Sequence, residues 1–368
     1  MFDTIIVGAG PVGQFLALAT ARRGFKTLLL EAKPAGAGFD DDRSLALSWG
    51  SWLLLGRAGV TEQLAAVTTP ILRIHVSQRG DFGRTELTAQ DANVPALGHI
   101  VGYGALQRAL ATRVPAAGEV RYETKVDSIR DDGEQITVAT SAGEFAARTA
   151  IVAEGGGPLV EALGFTQHVK DYGVTAVVAR VRAGRPHGNV AYERFAEAGP
   201  MALLPREDGF ALVWTLAPED ACHVLASNDA GFLDRLQRDF GWRAGRFIEV
   251  AERGSYPLVL RRAEPRARGR VALVGNAAQT LHPIAGQGLN LGLRDAWSAA
   301  GALPDIAGFL RRRKLDRAAT IGFTDSLANL FSIDWPAAGW ARGAGLEVLD
   351  TTRSLRHVFA RALTLGRL

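Results

Sequence analysis

The sequence predicts an α/β fold in which a parallel sheet is combined with an antiparallel sheet. Two apolar, β-branched runs, at residues 4–7 and 270–274, each lead into a glycine-rich turn and then a helical pattern, as buried parallel strands do. Residues 310–368 predict a mainly helical C-terminus. The antiparallel sheet is predicted by short strand patterns at residues 174–181, 189–195, 201–204 and 210–216.

The composition is that of a globular chain of two or three domains, with 368 residues, 47% of them hydrophobic and 22% charged. Lys and Arg number 42 against 38 Asp and Glu, so the net charge is only +4. This charge is compatible with an anionic cofactor or a membrane surface and does not argue for nucleic acid. The single cysteine, Cys222, excludes an internal disulfide and a cysteine-based metal site, and we expect it in or near a core.

The apolar N-terminal segment is predicted to be part of the folded protein and not a signal peptide. Residues 4–21 are apolar, but Asp3 stands where a signal peptide has a basic region, and glycines interrupt the run. No apolar run is long enough to span a bilayer. We therefore predict a cytoplasmic protein, peripheral to the inner membrane at most.

The first strand opens a dinucleotide-binding pattern. It runs into a Gly-x-Gly-x-x-Gly turn, a helix over 11–23 that Gly24 ends, and a second strand over 26–30 that ends at Glu31. In this pattern Gly8 permits the tight turn, Gly10 lets the backbone approach a pyrophosphate, and Gly13 allows close packing of helix on strand.

The N-terminus of that helix offers free N–H groups and a positive dipole end to phosphates, and Glu31 can accept hydrogen bonds from ribose hydroxyls. The order of strand, glycines, helix, strand and acid favours a nucleotide site over a chance glycine-rich turn. This unit alone does not distinguish FAD from NAD.

A second pattern follows the strand at 270–274. A strand, a polar turn and a glycine-rich helix start, with the helix predicted over 288–301, again create a pocket suited to an anion. Backbone N–H groups there would stabilise negative charge on a reduced flavin ring, and the Asn276 amide would bind ribitol hydroxyls. The residues of this pattern are Gly275, Asn276, His282, Pro283, Gly286, Gly288, Leu289 and Asn290.

This second stretch resembles the FAD fingerprint of the class A flavoprotein aromatic hydroxylases, the p-hydroxybenzoate hydroxylase-like group. Within that group it is most similar to the ubiquinone-biosynthesis hydroxylases, closest to those that act on 2-octaprenyl-6-methoxyphenol. The usual Gly-Asp pair reads Gly275-Asn276 here, which keeps hydrogen bonding but loses the charge. Further similar segments lie at residues 41–48, 74–77, 96–98, 199–205 and 256–258.

The resemblance implies a Rossmann-like FAD-binding domain of the glutathione reductase type, interleaved with an antiparallel-sheet substrate domain and followed by a helical C-terminus. The FAD-binding domain is expected to comprise residues 1–70, 99–165 and 261–310. The substrate domain is expected at 71–98 and 166–260, and the helical segment at 311–368.

The resemblance also implies the chemistry. FAD is the cofactor, NAD(P)H the reductant, and dioxygen is activated as a flavin hydroperoxide that hydroxylates a polyprenylated phenol, 2-polyprenyl-6-methoxyphenol, in ubiquinone biosynthesis. Proteins of a ubiquinone-synthesis complex are the implied partners, and no metal is expected. Regiochemistry stays open, because a small shift of the ring changes the carbon attacked.

Three residues are the catalytic candidates. His282, followed by Pro283, would polarise the phenol or shape the flavin pocket, with a purely structural role as the alternative. Arg43 would hold the flavin or gate its movement, and the alternative is a surface ion pair within the acidic run 40–42. Gln107 and Arg108 would reach the cofactor from a helix over 102–113, although a solvated helix face suits Arg108 equally well.

One family motif is degraded. The usual DGxxSxVR is replaced at 154–161, where Glu154 stands for Asp, Pro158 for Ser and Glu161 for Arg. This departure leaves open a weakly active flavin-binding scaffold subunit, or an FAD-linked reductase or oxidase. The basic run 311–314 is interpreted as a solvated helix face, with anionic lipid or a partner protein as the alternative. Four aromatic residues could line an apolar tunnel or pack in the core, namely Trp49, Trp52, Trp214 and Phe195.

Overall fold

The computed structural model describes residues 1–80, 82–155, 157–281, 286–330 and 338–366, without the side chains of 327–330 and 338. These described residues form nineteen strands, which are numbered in chain order. They are β1 (Phe2–Val7), β2 (Thr27–Leu30), β3 (Ser44–Ser48), β4 (Thr69–Ile71), β5 (Arg73–Gln78), β6 (Arg84–Thr88), β7 (Gly98–Gly102), β8 (Glu119–Arg121), β9 (Val126–Asp131), β10 (Ile136–Thr140), β11 (Gly143–Val152), β12 (Thr166–Ala183), β13 (Val190–Ala196), β14 (Gly199–Arg206), β15 (Gly209–Leu216), β16 (Phe247–Glu264), β17 (Ala267–Arg268), β18 (Val271–Leu273) and β19 (Gln279–Thr280).

The helices surround these sheets, and a short 3-10 turn at Gly275–Ala277 joins β18 to β19. The α-helices of the described residues are α1 (Pro11–Ala21), α2 (Trp49–Arg57), α3 (Thr61–Leu64), α4 (Ala89–Ala92), α5 (Tyr103–Ala111), α6 (Pro158–Ala162), α7 (Pro218–Ala226), α8 (Asp229–Phe240), α9 (Gln287–Ala302), α10 (Ile306–Leu330), α11 (Ala338–Thr351) and α12 (Arg353–Leu365).

The first sheet is parallel at its centre, as the buried apolar runs predict. Its order is β17-β18-β11-β1-β2-β8, and β1 pairs in parallel with both β2 and β11. β9 and β10 extend it as an antiparallel hairpin on β11. Fully buried residues such as Ile5 and Ile6 point to opposite faces of β1 and pack in two different cores. The carboxyl ends of β1 and β18 therefore meet at one edge, where both glycine turns lie.

The second sheet is antiparallel apart from one pair, and its order is β19-β16-β12-β15-β14-β13-β5-β6. β5 and β13 pair in parallel, which inserts the hairpin of β5 and β6 into this sheet. The sequence reasoning missed α7 and α8 within its strand-rich segment. Their apolar residues, among them Phe232 and Phe240, pack against Trp214, which is fully buried and thus belongs to the core.

The chain passes from one sheet to the other several times. Three strands belong to neither of these sheets and form a small separate sheet of order β3-β7-β4. β19 follows the second glycine turn but pairs with β16 of the antiparallel sheet. The exact division into domains stays a prediction, whereas the interleaved course of the chain is evident from the strand orders.

Two sequence interpretations are wrong. The basic run 311–314 is not wholly a solvated face, because Arg313 is buried and forms an ion pair with Asp295, from Nε to Oδ1 at 2.7 Å. Cys222 is exposed on α7 rather than placed in a core. A helix period alone does not tell which side of α7 or α10 meets a neighbour.

Candidate functional site

The first glycine turn is held by close approaches that exclude side chains. Gly8 has a φ of +101°, and a Cβ there would lie 2.9 Å from the backbone nitrogen of Glu154. A Cβ on Gly13 would lie 1.9 Å from the carbonyl oxygen of Gly8. These two glycines therefore let α1 start directly against the end of β1.

Gly10 differs from its neighbours, because no atom lies within 4 Å of the Cβ position there. It is the N-cap of α1, Pro11 follows it, and no side chain caps the helix. Gly10 lines a cavity of about 700 Å³, called here the glycine-turn cavity, which Asn276 and Gly288 also line. Uncapped N–H groups and the positive end of the helix dipole thus face a space that suits an anion.

Glu31 and Gln107 hold this turn from its two sides. The Ala9 N–H donates to Oε2 of Glu31 at 2.6 Å, and Nε2 of Gln107 donates to the Ala9 carbonyl at 3.1 Å. Gln107 is buried and also accepts a hydrogen bond from Gln14 at 2.9 Å. Both residues lie beside the turn, as predicted, but neither lines the glycine-turn cavity. Arg108, next in sequence, is exposed and donates to the Phe39 carbonyl.

The second glycine turn lies directly against the first. Gly275 has a φ of +59°, and a Cβ there would lie 3.2 Å from Val12 of α1. A Cβ on Gly292 of α9 would lie 2.8 Å from the same side chain. Gly286, also at a φ of +59°, is the N-cap of α9. The starts of α1 and α9 therefore converge on one cavity, with Gly275, Asn276, Gly288 and Leu289 in its wall.

Asn290 uses its amide within the protein. Nδ2 donates to the carbonyls of Ala46 at 2.9 Å and Gly286 at 2.7 Å, and Oδ1 accepts from the Ser48 N–H at 2.9 Å. The side chain is buried. It therefore ties β3 to the start of α9 instead of presenting donors to a ligand, which differs from the simplest form of the sequence prediction.

We expect Asn290→Ala to lower the free energy of unfolding by about 3 kcal/mol, because three hydrogen bonds are lost and a buried N–H is left without an acceptor. The start of α9 should also loosen. Chemical denaturation followed by circular dichroism measures the change. Asn228→Ala, which removes one exposed helix-capping bond, serves as the control and should cost about 1 kcal/mol. Equal effects of the two variants would contradict the role assigned to Asn290.

Arg43 is exposed and forms the ion pair that the sequence left as an alternative. Its Nη2 lies 2.6 Å from Oδ2 of Asp41, and its guanidinium lies 5.0 Å from the ring centroid of Tyr103. The ion pair lowers the pKa of Asp41 and raises that of Arg43, chiefly through the hydrogen bonds between them. Arg43 also lines the glycine-turn cavity. Arg43 therefore forms a surface ion pair with Asp41 and also lies in the wall of the glycine-turn cavity.

Arg206 was missed by the sequence reasoning, which stopped at Pro205. Its side chain is largely buried, and it donates from Nη2 to Oδ1 of Asp42 at 2.6 Å and from Nη1 to Oγ of Ser44 at 3.1 Å. Arg206 is the last residue of β14, Asp42 precedes β3, and Ser44 is the first residue of β3. Arg43 lies between the two contacted residues, so these contacts hold its backbone against β14. Its only sequence signal was its place at the end of a segment with family resemblance.

A second cavity of about 760 Å³, called here the apolar cavity, adjoins the first. Its wall is built mainly of aliphatic and aromatic side chains from the antiparallel sheet and from α11 and α12, including Leu346 and Phe359. Phe195, one of the four aromatic candidates, lines it. The two cavities share the lining residues Ser44, Leu45, Leu204, Val213, Tyr256, Gly288 and Leu289.

The degraded motif lies in the wall of the glycine-turn cavity through Glu154 and Gly155. Burial raises the pKa of the Glu154 carboxyl, and the nearby Glu31 carboxylate adds to the rise. The catalytic candidates His282 and Pro283 lie outside the described residues. Within the described ranges, no group of three or more acidic, histidine or cysteine side chains could hold a metal ion. No helix in the described part of the chain has the length and apolarity to cross a bilayer.

Comparison with known proteins agrees with this geometry. Residues 1–311 match the family described as FAD binding domain. The ubiquinone hydroxylase UbiL of Rhodospirillum rubrum is 32% identical over 98% of this chain and 88% of its own length. The 3-demethoxyubiquinol 3-hydroxylase of Escherichia coli is 31% identical over 96% of each chain.

Solved structures share the fold at lower identity. The p-nitrophenol 4-monooxygenase PnpA from Pseudomonas putida has a TM-score of 0.78 with 18% identity, covering 100% of this chain and 99% of its own. A variant of HpxO from Klebsiella pneumoniae, solved with FAD, has a TM-score of 0.75 with 18% identity over 99% of each chain. Since the family match spans most of the sequence and two relatives exceed 30% identity along nearly all of it, the chain belongs to the FAD-binding-domain family of class A flavin-dependent, NAD(P)H-consuming aromatic hydroxylases.

Proposed function

We propose that this hydroxylase acts on a phenol with a polyprenyl tail, of the 2-polyprenyl-6-methoxyphenol class, in ubiquinone biosynthesis. The observation that carries the proposal is the apolar cavity, which is large, lined mainly by hydrocarbon side chains and continuous in its wall with the glycine-turn cavity. A pocket of this kind favours a ligand with a long apolar part and one polar end. One relative is named a ubiquinone hydroxylase and another a 3-demethoxyubiquinol 3-hydroxylase, and these names support a ring substrate of ubiquinone biosynthesis.

The residues of the glycine-turn cavity suit FAD. In this proposal the N–H groups at the start of α1, beside Gly10, hold the pyrophosphate, and the remaining lone pairs of Glu31 accept from a ribose. The Asn276 amide and the N–H groups at Gly288 and Leu289 face the flavin end. Gly10, Asn276, Gly288 and Leu289 line this cavity, and Glu31 lies next to it through its hydrogen bond to the Ala9 N–H, so these groups suit one extended dinucleotide.

When bound, FAD would supply the redox chemistry, namely acceptance of a hydride from NAD(P)H and activation of dioxygen. One oxygen atom enters the ring and the other leaves as water, with NAD(P)H supplying two electrons. The protein binds and orients the phenol at the shared wall of the two cavities, near Leu45, Leu289 and Tyr256. The apolar wall excludes water from the reacting atoms, which limits loss of activated oxygen. His282, Pro283 and Arg43 remain candidates for contact with substrate or flavin.

Two alternatives stay distinct from this proposal. The same site could hydroxylate another ring carbon or another aromatic compound, because ring placement decides the carbon attacked. The Glu154 segment leaves a weakly active flavin-binding scaffold of a ubiquinone-synthesis complex as the second alternative. Contact with such proteins, or with the membrane surface, belongs to this proposal as well.

We expect the purified, FAD-loaded protein to consume NAD(P)H and dioxygen only when a 2-polyprenyl-6-methoxyphenol is present, and to form a product heavier by one oxygen atom. Mass spectrometry of the product detects the added oxygen atom, and complementation of a strain blocked at this hydroxylation tests the function in cells. A matched phenol without the tail is the control and should bind more weakly, because each buried CH₂ contributes about 0.8 kcal/mol. FAD-loaded protein that leaves every such phenol unchanged would support the scaffold alternative.

A further inference from the structure

One carboxyl group, that of Glu193, lies in the described wall of the mainly apolar cavity. Glu193 is on β13, and the alternate residues Ala191 and Phe195 of that strand line the same cavity, so the Glu193 side chain is on its inward face. Its register partners, Val76 on β5 and Ala202 on β14, line the cavity too. The carboxyl is thus surrounded by hydrocarbon on its own strand and on both neighbouring strands.

Glu193 has no hydrogen-bond or ion-pair partner within the described part of the chain, in contrast to its neighbour Arg194, which donates to Ser77. The only other ionisable side chains in the described wall are Tyr256 of β16 and Arg342 of α11. Burial alone raises the pKa of Glu193 to about 8. A carboxyl that faces an apolar cavity without a protein partner is costly and calls for a ligand that can pair with it.

The position of Glu193 suits a ligand that also reaches the flavin side. Ala202 pairs with Val213 on β15, and Val213 lines both cavities. Two strand spacings therefore separate Glu193 from the shared wall, about 10 Å from backbone to backbone. A glutamate side chain spans part of that distance and a single aromatic ring spans the rest. A phenol can point its hydroxyl at Glu193 and its opposite ring edge at the shared wall.

We propose that Glu193 is the proton acceptor for the hydroxyl of a phenolic substrate bound in the apolar cavity. This proposal rests on the function proposed above and names the group that recognises and activates its substrate. The phenol O–H bond breaks, the proton moves to a carboxylate oxygen of Glu193, and the oxygen electron pair is delocalised onto the ring carbons ortho and para to it. Those carbons become better nucleophiles toward electrophilic oxygen, and the step needs no further reactant.

The environment suits this proton transfer. A phenol of the tyrosine type has a pKa near 10, and an ordinary glutamate is too weak a base for it. With a pKa of about 8, Glu193 is a closer match, which lowers the uphill cost of transfer. The hydrocarbon wall also strengthens the hydrogen bond between the two groups, because the local dielectric is low.

We expect Glu193→Gln to lower kcat for phenol hydroxylation about 10²-fold, the usual contribution of a general base. FAD content should not change, and more of the NAD(P)H consumed should yield hydrogen peroxide instead of product. In the wild type, kcat/KM should rise with pH up to about 8, and the variant should lose this rise. Glu197→Gln, exposed in the turn after β13, is the matched control and should behave as the wild type.

A readout without activity checks that the substitution leaves the fold intact. The pKa of Glu193 is raised from 4.5 in the unfolded chain to about 8, so the folded protein loses stability as the pH rises between these values. Glu193→Gln lacks this loss. Its melting temperature should therefore exceed that of the wild type at pH 8 by more than it does at pH 5. Equal differences at the two pH values would mean that the apolar cavity does not raise the pKa of the Glu193 carboxyl, which would contradict its assigned role.

Measurements of ligand binding test the role of Glu193 independently of the proposed hydroxylase function. A 2-methoxy-6-alkylphenol and its O-methyl ether serve as probes with FAD-loaded protein. The wild type should bind the phenol about tenfold more tightly than the ether, and Glu193→Leu should lose the preference. A wild type without this preference overturns the role of Glu193, whatever the activity. If the preference depends on Glu193 but the protein hydroxylates no phenol, the result supports the contact between Glu193 and the phenol hydroxyl. The same result overturns the proposed function.

Discussion

The Gly10→Val variant should fold as the wild type does and lose bound FAD. The backbone at Gly10 has φ −68° and ψ 176°, which any residue adopts, and no atom lies within 4 Å of its Cβ position. The new side chain would project into the glycine-turn cavity and displace the pyrophosphate from the start of α1. Losing two charge-assisted hydrogen bonds should weaken FAD binding by about 10²-fold or more. Flavin absorbance after gel filtration and titration of the apoprotein measure this effect.

Gly322→Val is the matched control, because Gly322 also has open space at its Cβ position but lies on α10, away from the turn. It should keep its FAD. Gly13→Ala provides the opposite case, since its Cβ would lie 1.9 Å from the Gly8 carbonyl, and it should lower the melting temperature as well. If Gly10→Val retains a full complement of FAD, the pyrophosphate does not approach α1 at this residue.

The two glycine turns could be predicted because their geometry is local. Gly8 and Gly275 need a positive φ, and Gly13 needs a close approach to a residue five positions earlier, so spacing in the sequence carries the information. Glu31 was also predicted, since the end of β2 lies beside β1 in any sheet of this pattern. The sequence did not predict that its carboxylate binds the turn itself.

Residues set by long-range pairing could not be predicted in the same way. Glu193 faces the apolar cavity only because β13 pairs with β5 and β14 in a register that no local pattern specifies. Arg206 contacts residues more than 160 positions earlier, Asp42 and Ser44. Asn290 was predicted as a site residue, but its partners on β3 lie more than 240 positions away, so its positioning role became visible only in the structure.

The buried charges between α9 and α10 also could not be predicted from local sequence patterns. Asp295 of α9 is fully buried and pairs with Arg313 at 2.7 Å and with Arg317 at 3.6 Å, both on α10. Asp316 pairs with Arg294 at 3.1 Å and also with Arg313. In sequence, Arg313 belongs to a run of four basic residues that reads as a solvated face. Its carboxylate partners, Asp295 on α9 and Asp316 on α10, make this burial favourable, because an unpaired buried guanidinium is strongly destabilising.

Asp295→Asn should lower the free energy of unfolding by about 3–5 kcal/mol, the usual effect of removing one partner from a buried ion pair. The buried guanidinium groups of Arg294 and Arg313 would then share the Asp316 carboxylate, and the buried Arg317 would lose its ion pair with Asp295. The packing of α9 on α10 should weaken, and with it the start of α9 that lines both cavities. Chemical denaturation of the FAD-loaded and FAD-free proteins measures the loss and any effect on FAD affinity.

Asp305→Asn tests whether burial causes that loss. Asp305 pairs with Arg311 at 3.6 Å on the exposed start of α10, and Asn can replace its hydrogen bond to the Gly308 N–H. The same change of charge should therefore cost less than about 1 kcal/mol there. The two variants remove one carboxylate each from pairs between α10 and its surroundings, so the difference between them reports burial. Similar losses at both positions would mean that Asp295 and Arg313 are screened by water, and that the interface of α9 and α10 depends on its apolar contacts instead.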